Sequence, residues 1–497
     1  MDRHKAIPFR SVPNTFPLGQ GLPSIIHHEA RSCFIGTRPN KKPSASKKYY
    51  GLHPSLKRVN LNAAGIDIGS AEHYVAVPED RDERPVRVFT CFTPDLHRMA
   101  QWLKGCGIET VAMESTGVYW MPVWQVLERY GLEVKLVNAR HVKNVPGRKT
   151  DILDCQWLQE LHTYGLLSGA FLPDQETSVL RSYWRHRAEL VESCAKQIHL
   201  MQKAMTLMNL HLHKAISDIT GVTGLAIIRA IVQGERDPRI LAQLRNGQIK
   251  SSEQKIVEAL SGNYQEEHVF ALKQALELYD VYQAKIKECD DRIATYMTTV
   301  EPKWPQKNTS PPKPQGRRRR KNEVHFDLRA EQFRMTGVDL ARIDGLEAMT
   351  VQTILSECGF DMTPFPTEKH FASWLGLCPN NRKTGGKVKR TTTKKVKNRA
   401  AHALRLAAQS LHSSLTALGA YYRRMRQRLG APKAVTATAH KLARLFYSML
   451  KFGQDYVDKG QTYYEQAYQQ RVLTNLKQRA NSMGYILVQP KTGETFS

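Results

Sequence analysis

The sequence predicts an α/β domain built on a mixed sheet, followed by a helical coiled-coil middle and a mainly α C-terminal region. Three observations predict it. Short apolar strands first meander and then alternate with helices between about residues 62 and 162, the order of a sheet with helices packed on it. Two long amphipathic stretches almost free of Gly and Pro come next. From Phe326 onward the pattern is helical.

Each element has its own signal. Ala64-Gly65-Ile66-Asp67-Ile68-Gly69 is a short apolar strand that ends in an acid and a Gly turn. Tyr74–Val77 and Val86–Cys91 alternate as two further strands across the charged turn 78–85. Asp95–Gly105 reads as a helix with Leu96, Met99, Ala100 and Leu103 on one face. Thr110–Met113 is a fourth strand, a helix runs on through Tyr130, and Glu133–Asn138 is a fifth strand. Pro146-Gly147-Arg148 breaks the chain before a helix from about Asp151 to His162. The stretches from Glu176 to about His213 and from Tyr264 to Val300 suit an antiparallel coiled coil, a spacer or dimerisation arm. In the last part, Asn398–Tyr422 reads as one long Ala/Leu helix with Ala403, Leu404, Ala407, Leu411 and Leu415 in the core. The expected division is a basic, disordered arm (or misassigned start) over 1–60, the sheet domain over 61–170 and the helical region over 171–300. A basic Pro-rich linker over 301–325, a helical domain over 326–460 and a polar tail over 461–497 complete it.

Composition excludes several classes. No run of about 18 apolar residues exists to form a membrane span, and the N-terminus lacks the apolar stretch of a secretion signal. The eight Cys are scattered, with no C-x-x-C pair and no H-E-x-x-H, which argues against a zinc site or disulfide framework and fits a cytoplasmic protein. The 497 residues hold 73 Lys+Arg against 46 Asp+Glu, a formal net charge of +27. Eighteen of those cations fall between Asn380 and Lys451, where there is no acid at all. A solvated face would mix signs, so this stretch points to phosphate, and nucleic acid is favoured over a membrane surface.

Four carboxylates stand at chemically informative places. Asp67 ends the first strand, Glu114 ends the fourth, and Asp151 and Asp154 lie three apart at a helix start, where i and i+3 share a face. Clustered carboxylates repel unless a hard cation sits between them, and paired divalent ions serve phosphodiester chemistry. Each acid alone has a simpler reading, as a strand-end turn, a helix-start residue or a helix cap. Their conjunction in a phosphate-seeking chain favours metal-dependent nucleic-acid chemistry with Mg2+.

The C-terminal region adds two features. Ile343-Asp344-Gly345-Leu346 before the apolar helix Ala348–Cys358 is similar to a helix-hairpin-helix turn, although Glu347 stands where a second Gly is usual; a plain helix connection reads equally well. Asn380-Asn381-Arg382-Lys383-Thr384-Gly385-Gly386-Lys387 places a hydroxyl in a basic, Gly-rich loop without P-loop spacing. On spacing alone the Thr384 hydroxyl is a phosphate contact before it is a nucleophile. Tyr421-Tyr422-Arg423-Arg424-Met425-Arg426 closes the long helix, and Arg423, Arg424 and Arg426 are candidates for nucleic-acid contact, as are Arg148 and Lys149 beside the acids.

These motifs together resemble the IS-one-ten (IS110) family of insertion-sequence transposases, DEDD-type recombinases guided by a bridge RNA. The resemblance rests on Gly65-Ile66-Asp67-Ile68, Met113-Glu114-Ser115-Thr116-Gly117-Val118-Tyr119-Trp120 and Leu136-Val137-Asn138. It rests further on residues 141–151 through to Asp154, on Trp374-Leu375-Gly376-Leu377-Cys378-Pro379-Asn380-Asn381 and on the Gly-Gly-Lys loop. It implies a ribonuclease-H-like (RuvC-like) N-terminal domain whose tetrad Asp67, Glu114, Asp151 and Asp154 binds Mg2+, with no nucleotide cofactor. It also implies a coiled-coil arm and a C-terminal transposase domain whose serine attacks the DNA backbone. DNA, a structured non-coding guide RNA and a homo-oligomer, dimer or tetramer, are the partners it implies. The serine position holds Thr384 here, and the family's Gly-Asn reads Lys397-Asn398. Two alternatives follow: a catalytically impaired nucleic-acid-binding remnant, or an ATP-dependent phosphotransferase on the same sheet. The second would need another phosphate-binding strand-turn in the later half, and the chain from Phe326 onward has none.

Overall fold

The computed structural model describes residues 57–115, 117–137, 151–302, 320–394, 396–453, 458 and 460–486. Arg148, Lys149, most of the expected N-terminal arm and the Pro-rich segment 303–319 lie outside the described residues, as do the side chains of Asp151, Arg382 and Lys383.

Five strands form one sheet: β1 (Ala63–Ile68), β2 (Glu72–Ala76), β3 (Val86–Thr90), β4 (Thr110–Glu114) and β5 (Glu133–Val137). Their spatial order is β3-β2-β1-β4-β5. The first three pair antiparallel, whereas β1/β4 and β4/β5 are parallel. Alternation sorts the side chains. Ile66, Ile68, Val111 and Met113 face α1 (Thr93–Gly105) and α2 (Trp120–Arg129), where Leu96, Met99, Leu103 and Leu127 complete one core. Ala112 and Val137 face the other way, onto Trp157 and Leu158 of α3 (Asp151–Thr163).

The contact between β1 and α3 is made by backbone. A Cβ on Gly65 would stand 2.3 Å from Gln159 N and 2.4 Å from Cys155 O, so only glycine admits the helix at this point. The two elements run antiparallel: Val59 N and Asn60 N donate to Thr163 O, Gln159 Nε2 donates to Ala63 O, and Cys155 lies over Gly65. The first turn of α3 is thereby carried toward the C-terminal end of β1.

Two long helices follow, α4 (Gln175–Leu207) and α9 (Glu266–Thr299). They pair antiparallel as expected, with Arg187 on Asp290 and Gln283 Nε2 donating to Cys194 Sγ at 3.2 Å. Between them the chain folds through α5 (Leu212–Ala215), α6 (Val222–Val232), α7 (Pro238–Gln243) and α8 (Glu253–Leu260). These short helices share a core with the outer half of the arm through Met201, Met205, Ile228, Ile256 and Leu272. The root of the arm enters the C-terminal core instead, where Leu180, Trp184, Ile293 and Met297 meet Leu355, Leu404 and Phe446. Among the described residues no helix is long and apolar enough to cross a membrane.

The C-terminal region holds α10 (Leu328–Thr336), α11 (Ala348–Cys358), α12 (Glu368–Trp374), α13 (Arg399–Ser410), α14 (Ala417–Leu429), α15 (Ala431–Phe452) and α16 (Gly460–Ser482). Two sequence expectations are corrected here. The region is not helical throughout, because β6 (Pro379–Thr384) and β7 (Lys387–Thr393) form an antiparallel hairpin. Its Lys, Arg and Thr residues carry no apolar alternation, so the two-residue period is silent. The long helix expected over Asn398–Tyr422 breaks at Leu411–Thr416: Thr416 caps α14 by accepting from Gly419 N at 3.3 Å, and Leu415 is 80% exposed instead of buried. Hydroxyl side chains in that stretch compete for the backbone and favour a cap over a continuous helix. The polar tail contains α16, which has no fully buried residue and therefore leaves no apolar stripe to detect.

Candidate functional site

Parallel pairing of Ile66 with Met113 sets the next residues, Asp67 and Glu114, side by side at the ends of β1 and β4. Parity fixes their direction. Asp67 follows Gly65 by two residues and Glu114 follows Ala112 by two, so both stand on the face covered by α3. Asp154 lies in the opening turns of that helix, one residue before Cys155. The thiol of Cys155 reports both neighbours: burial first, then the Asp67 carboxylate, push it up to about 12, and Asp154 adds in the same sense. Three acids far apart in sequence thus converge on one edge of the sheet. Glu114 is only 8% exposed.

Asp151 opens α3 one turn before Asp154, with its side chain outside the described residues. Among the described residues no group of three or more His, Cys, Asp or Glu closes around a point that could hold a metal ion. The donor chemistry is nonetheless uniform: every acid at this end offers carboxylate oxygen, the ligand that hard divalent cations take. Val118 and Tyr119 stand 69% and 45% exposed just beyond Glu114; the sequence reading gave them no role, and no spacing pattern marks them.

Thr384 occupies the last position of β6, where it pairs with Lys387 across a two-residue turn. Gly385 and Gly386 have φ of +55° and +74°, as a type I′ hairpin requires at both central residues. Open space surrounds both glycines, so the turn geometry, not crowding, demands them. Thr384 and Lys387 are exposed at the tip. The structure brings Asp67, Glu114 and Asp154 to one edge and sets Thr384 at the turn of a two-stranded hairpin.

Gly345 lies in the turn before α11 with φ of +85°. A Cβ there would come within 2.9 Å of Ala407 O and 3.1 Å of Leu411 Cγ. Packing against α13 therefore accounts for this glycine without a phosphate.

The three arginines singled out on α14 differ. Arg423 donates to Ser414 O at 2.6 Å and to Gln461 Oε1 at 2.7 Å, and the Arg424 guanidinium lies 3.3 Å from the centroid of the Tyr468 ring. Arg426 is exposed, whereas Arg423 and Arg424 are half-buried.

Two family models match parts of the chain. Residues 64–210 match the family model of the DEDD-type IS110 transposase, and residues 339–423 match that of the transposase IS116/IS110/IS902 family. No curated protein matches the chain. The first match spans all four acids, and the second spans Gly345, the Thr384 hairpin and Arg423. Two stretches of the chain are therefore similar to transposase domains of this insertion-sequence family.

Proposed function

We propose that the chain cleaves and rejoins DNA strands as the recombinase of an insertion sequence, using an acidic tetrad on a ribonuclease-H-like (RuvC-like) sheet and the Thr384 hydroxyl. The observation that carries this reading is the convergence of Asp67, Glu114 and Asp154 at one sheet edge inside the first transposase match. Asp67, Glu114, Asp151 and Asp154 would hold Mg2+. Bound there, Mg2+ offsets the charge that develops on the oxygens of a phosphodiester in reaction.

The chain's own residues do the rest. The Thr384 hydroxyl loses its proton to solvent and its oxygen forms a bond to phosphorus, while the bond from phosphorus to one sugar oxygen breaks and that oxygen leaves as a hydroxyl, taking a proton from solvent. Rejoining reverses the step: a sugar hydroxyl attacks the phosphothreonine and releases Thr384. Arg382, Lys383 and Lys387 flank the hydroxyl in sequence and serve to hold the phosphate in line with it. The γ-methyl of threonine restricts χ1 relative to serine and slows the attack. In this reading the complete site is assembled between copies of the chain in a dimer or tetramer. A structured non-coding RNA guides the choice of DNA in this reading.

The test is strand cleavage of donor and target DNA by the full chain, with Mg2+ present or chelated. Cleavage should stop on chelation and return with Mg2+. Cleavage indifferent to chelation would remove the acids from the reaction. A remnant that binds without cutting is the second reading, and it rests on Thr384 standing where the family has serine.

A further inference from the structure

The sequence assigns the end of α14 to nucleic acid, yet in the folded chain that surface is covered from within. Helix α16 lies against α14, and its tyrosines sit on the cations. The Arg424 guanidinium is 3.3 Å from the Tyr468 ring centroid and 5.5 Å from that of Tyr464. Lys441 Nζ of α15 lies 4.7 Å from the Tyr421 ring and 5.7 Å from that of Tyr464. The two rings meet edge-on at 6.2 Å. Arg428, Arg444 and Arg471 also act on these tyrosines and on Lys441.

Such a surface is built for something other than α16. The nearby acids are already engaged: Glu368 is bound to Arg444, and Glu465 accepts from Gln461. The cations therefore repel one another with little compensation, and Arg424 Nε is buried with no hydrogen-bond acceptor among the described residues. Burial and the neighbouring guanidinium of Arg444 hold the Lys441 ammonium below its usual range. Meanwhile α16 has no fully buried residue. Ring-on-cation contacts and the Gln461 hydrogen bond tie it to α14 and α15, and among the described residues it adds none to the buried core.

We propose that the α14–α15 face bearing Tyr421, Arg424 and Lys441 binds single-stranded DNA, and that α16 is a strap occupying this face until the strand displaces it. An unpaired base offers a flat face to Tyr421 and to the Arg424 guanidinium, and its phosphates answer the unpaired cations. A duplex hides its base faces and fits less well. The tyrosines Tyr464 and Tyr468 stand in for the bases in the free chain. This inference rests on the DNA-recombinase reading, which makes DNA the partner.

The experiment compares the full parent chain with Tyr464→Ala/Tyr468→Ala by titrating fluorescein-labelled oligothymidylate, with oligouridylate in parallel. Opening the strap removes the population penalty on binding, so affinity for oligothymidylate should rise about three- to tenfold. The same pair of substitutions placed on Arg424→Ala should give no gain. Amide exchange provides a second reading that does not depend on the variants: added oligothymidylate should deprotect 460–482 in the parent chain. If parent and variant bind equally, if the variant binds more weakly, or if the gain survives Arg424→Ala, the strap is wrong while the recombinase reading stands. A gain confined to oligouridylate would overturn the DNA assignment of this face. If neither chain binds any nucleic acid, both readings fall.

Discussion

Gly65 and Gln159 touch backbone to backbone: a methyl group added to the glycine would lie 2.3 Å from the Gln159 nitrogen. This contact sets how α3 rests on β1, and through it where Asp154 stands relative to Asp67. Gly65→Ala must lift the helix, at a cost of about 1–3 kcal/mol or more, as overpacking generally does. Urea unfolding of the variant should show that loss, and DNA cleavage should fall with all four acids still present. Unchanged stability and cleavage would contradict the packing described here.

Asp67→Asn or Asp154→Asn should abolish strand cleavage and leave the fold intact, because each removes one charge from the carboxylate set without changing its volume. Circular dichroism and a cleavage assay with Mg2+ present separate the two effects. A variant that cleaves near the parent rate takes that residue out of the site.

Much of this was legible in the sequence because it is written in periods and spacings. Short apolar runs marked β1 and β4, the first ending in an acid and a Gly turn, and the parallel register of the folded sheet then puts Asp67 and Glu114 on one face. Asp151 and Asp154 announced themselves by their spacing at a helix start. What stayed hidden depends on contacts between distant residues. The need for glycine at Gly65 comes from Cys155 and Gln159, and nothing local to the strand signals it. The hairpin escaped because Arg382–Thr393 has no apolar alternation, although its Gly-Gly turn was visible. Arg423 and Arg424 read as free cations, since Gln461 on the first and Tyr464 and Tyr468 on the second lie some forty residues away in a segment without an apolar stripe.

His162 gives the sheet domain a pH dependence. Burial, followed by the charge of Lys135, lowers its pKa to about 4, and its Nε2 lies 2.9 Å from Thr110 Oγ1. The unfolded chain binds this proton near 6.5 and the folded chain does not until about 4. Stability from this group is therefore complete above about pH 6.5 and is lost as the pH falls toward 4, by at most about 3 kcal/mol. His162→Gln should flatten the urea-unfolding profile across that window. A slope identical to the parent's would assign the acid sensitivity elsewhere.

The arginines of α14 should separate by function. Arg426→Glu should leave stability unchanged and reduce the slope of log affinity for DNA against log salt by about one unit per phosphate lost. Arg423→Ala should instead lower stability, since it forfeits the bonds to Ser414 O and Gln461 Oε1. Equal effects of the two substitutions on the salt slope would mean that Arg423 is not held internally.

The claim that Thr384 is the nucleophile is tested most directly by trapping a covalent protein–DNA adduct and mapping the modified residue by mass spectrometry. The parent chain should form an adduct at Thr384 slowly, Thr384→Ser should form it faster because the crowding methyl is gone, and Thr384→Ala should form none. An alanine variant that cleaves as well as the parent would place the nucleophile elsewhere. Binding without any adduct from either the parent or Thr384→Ser would show that this chain recognises DNA and does not cut it.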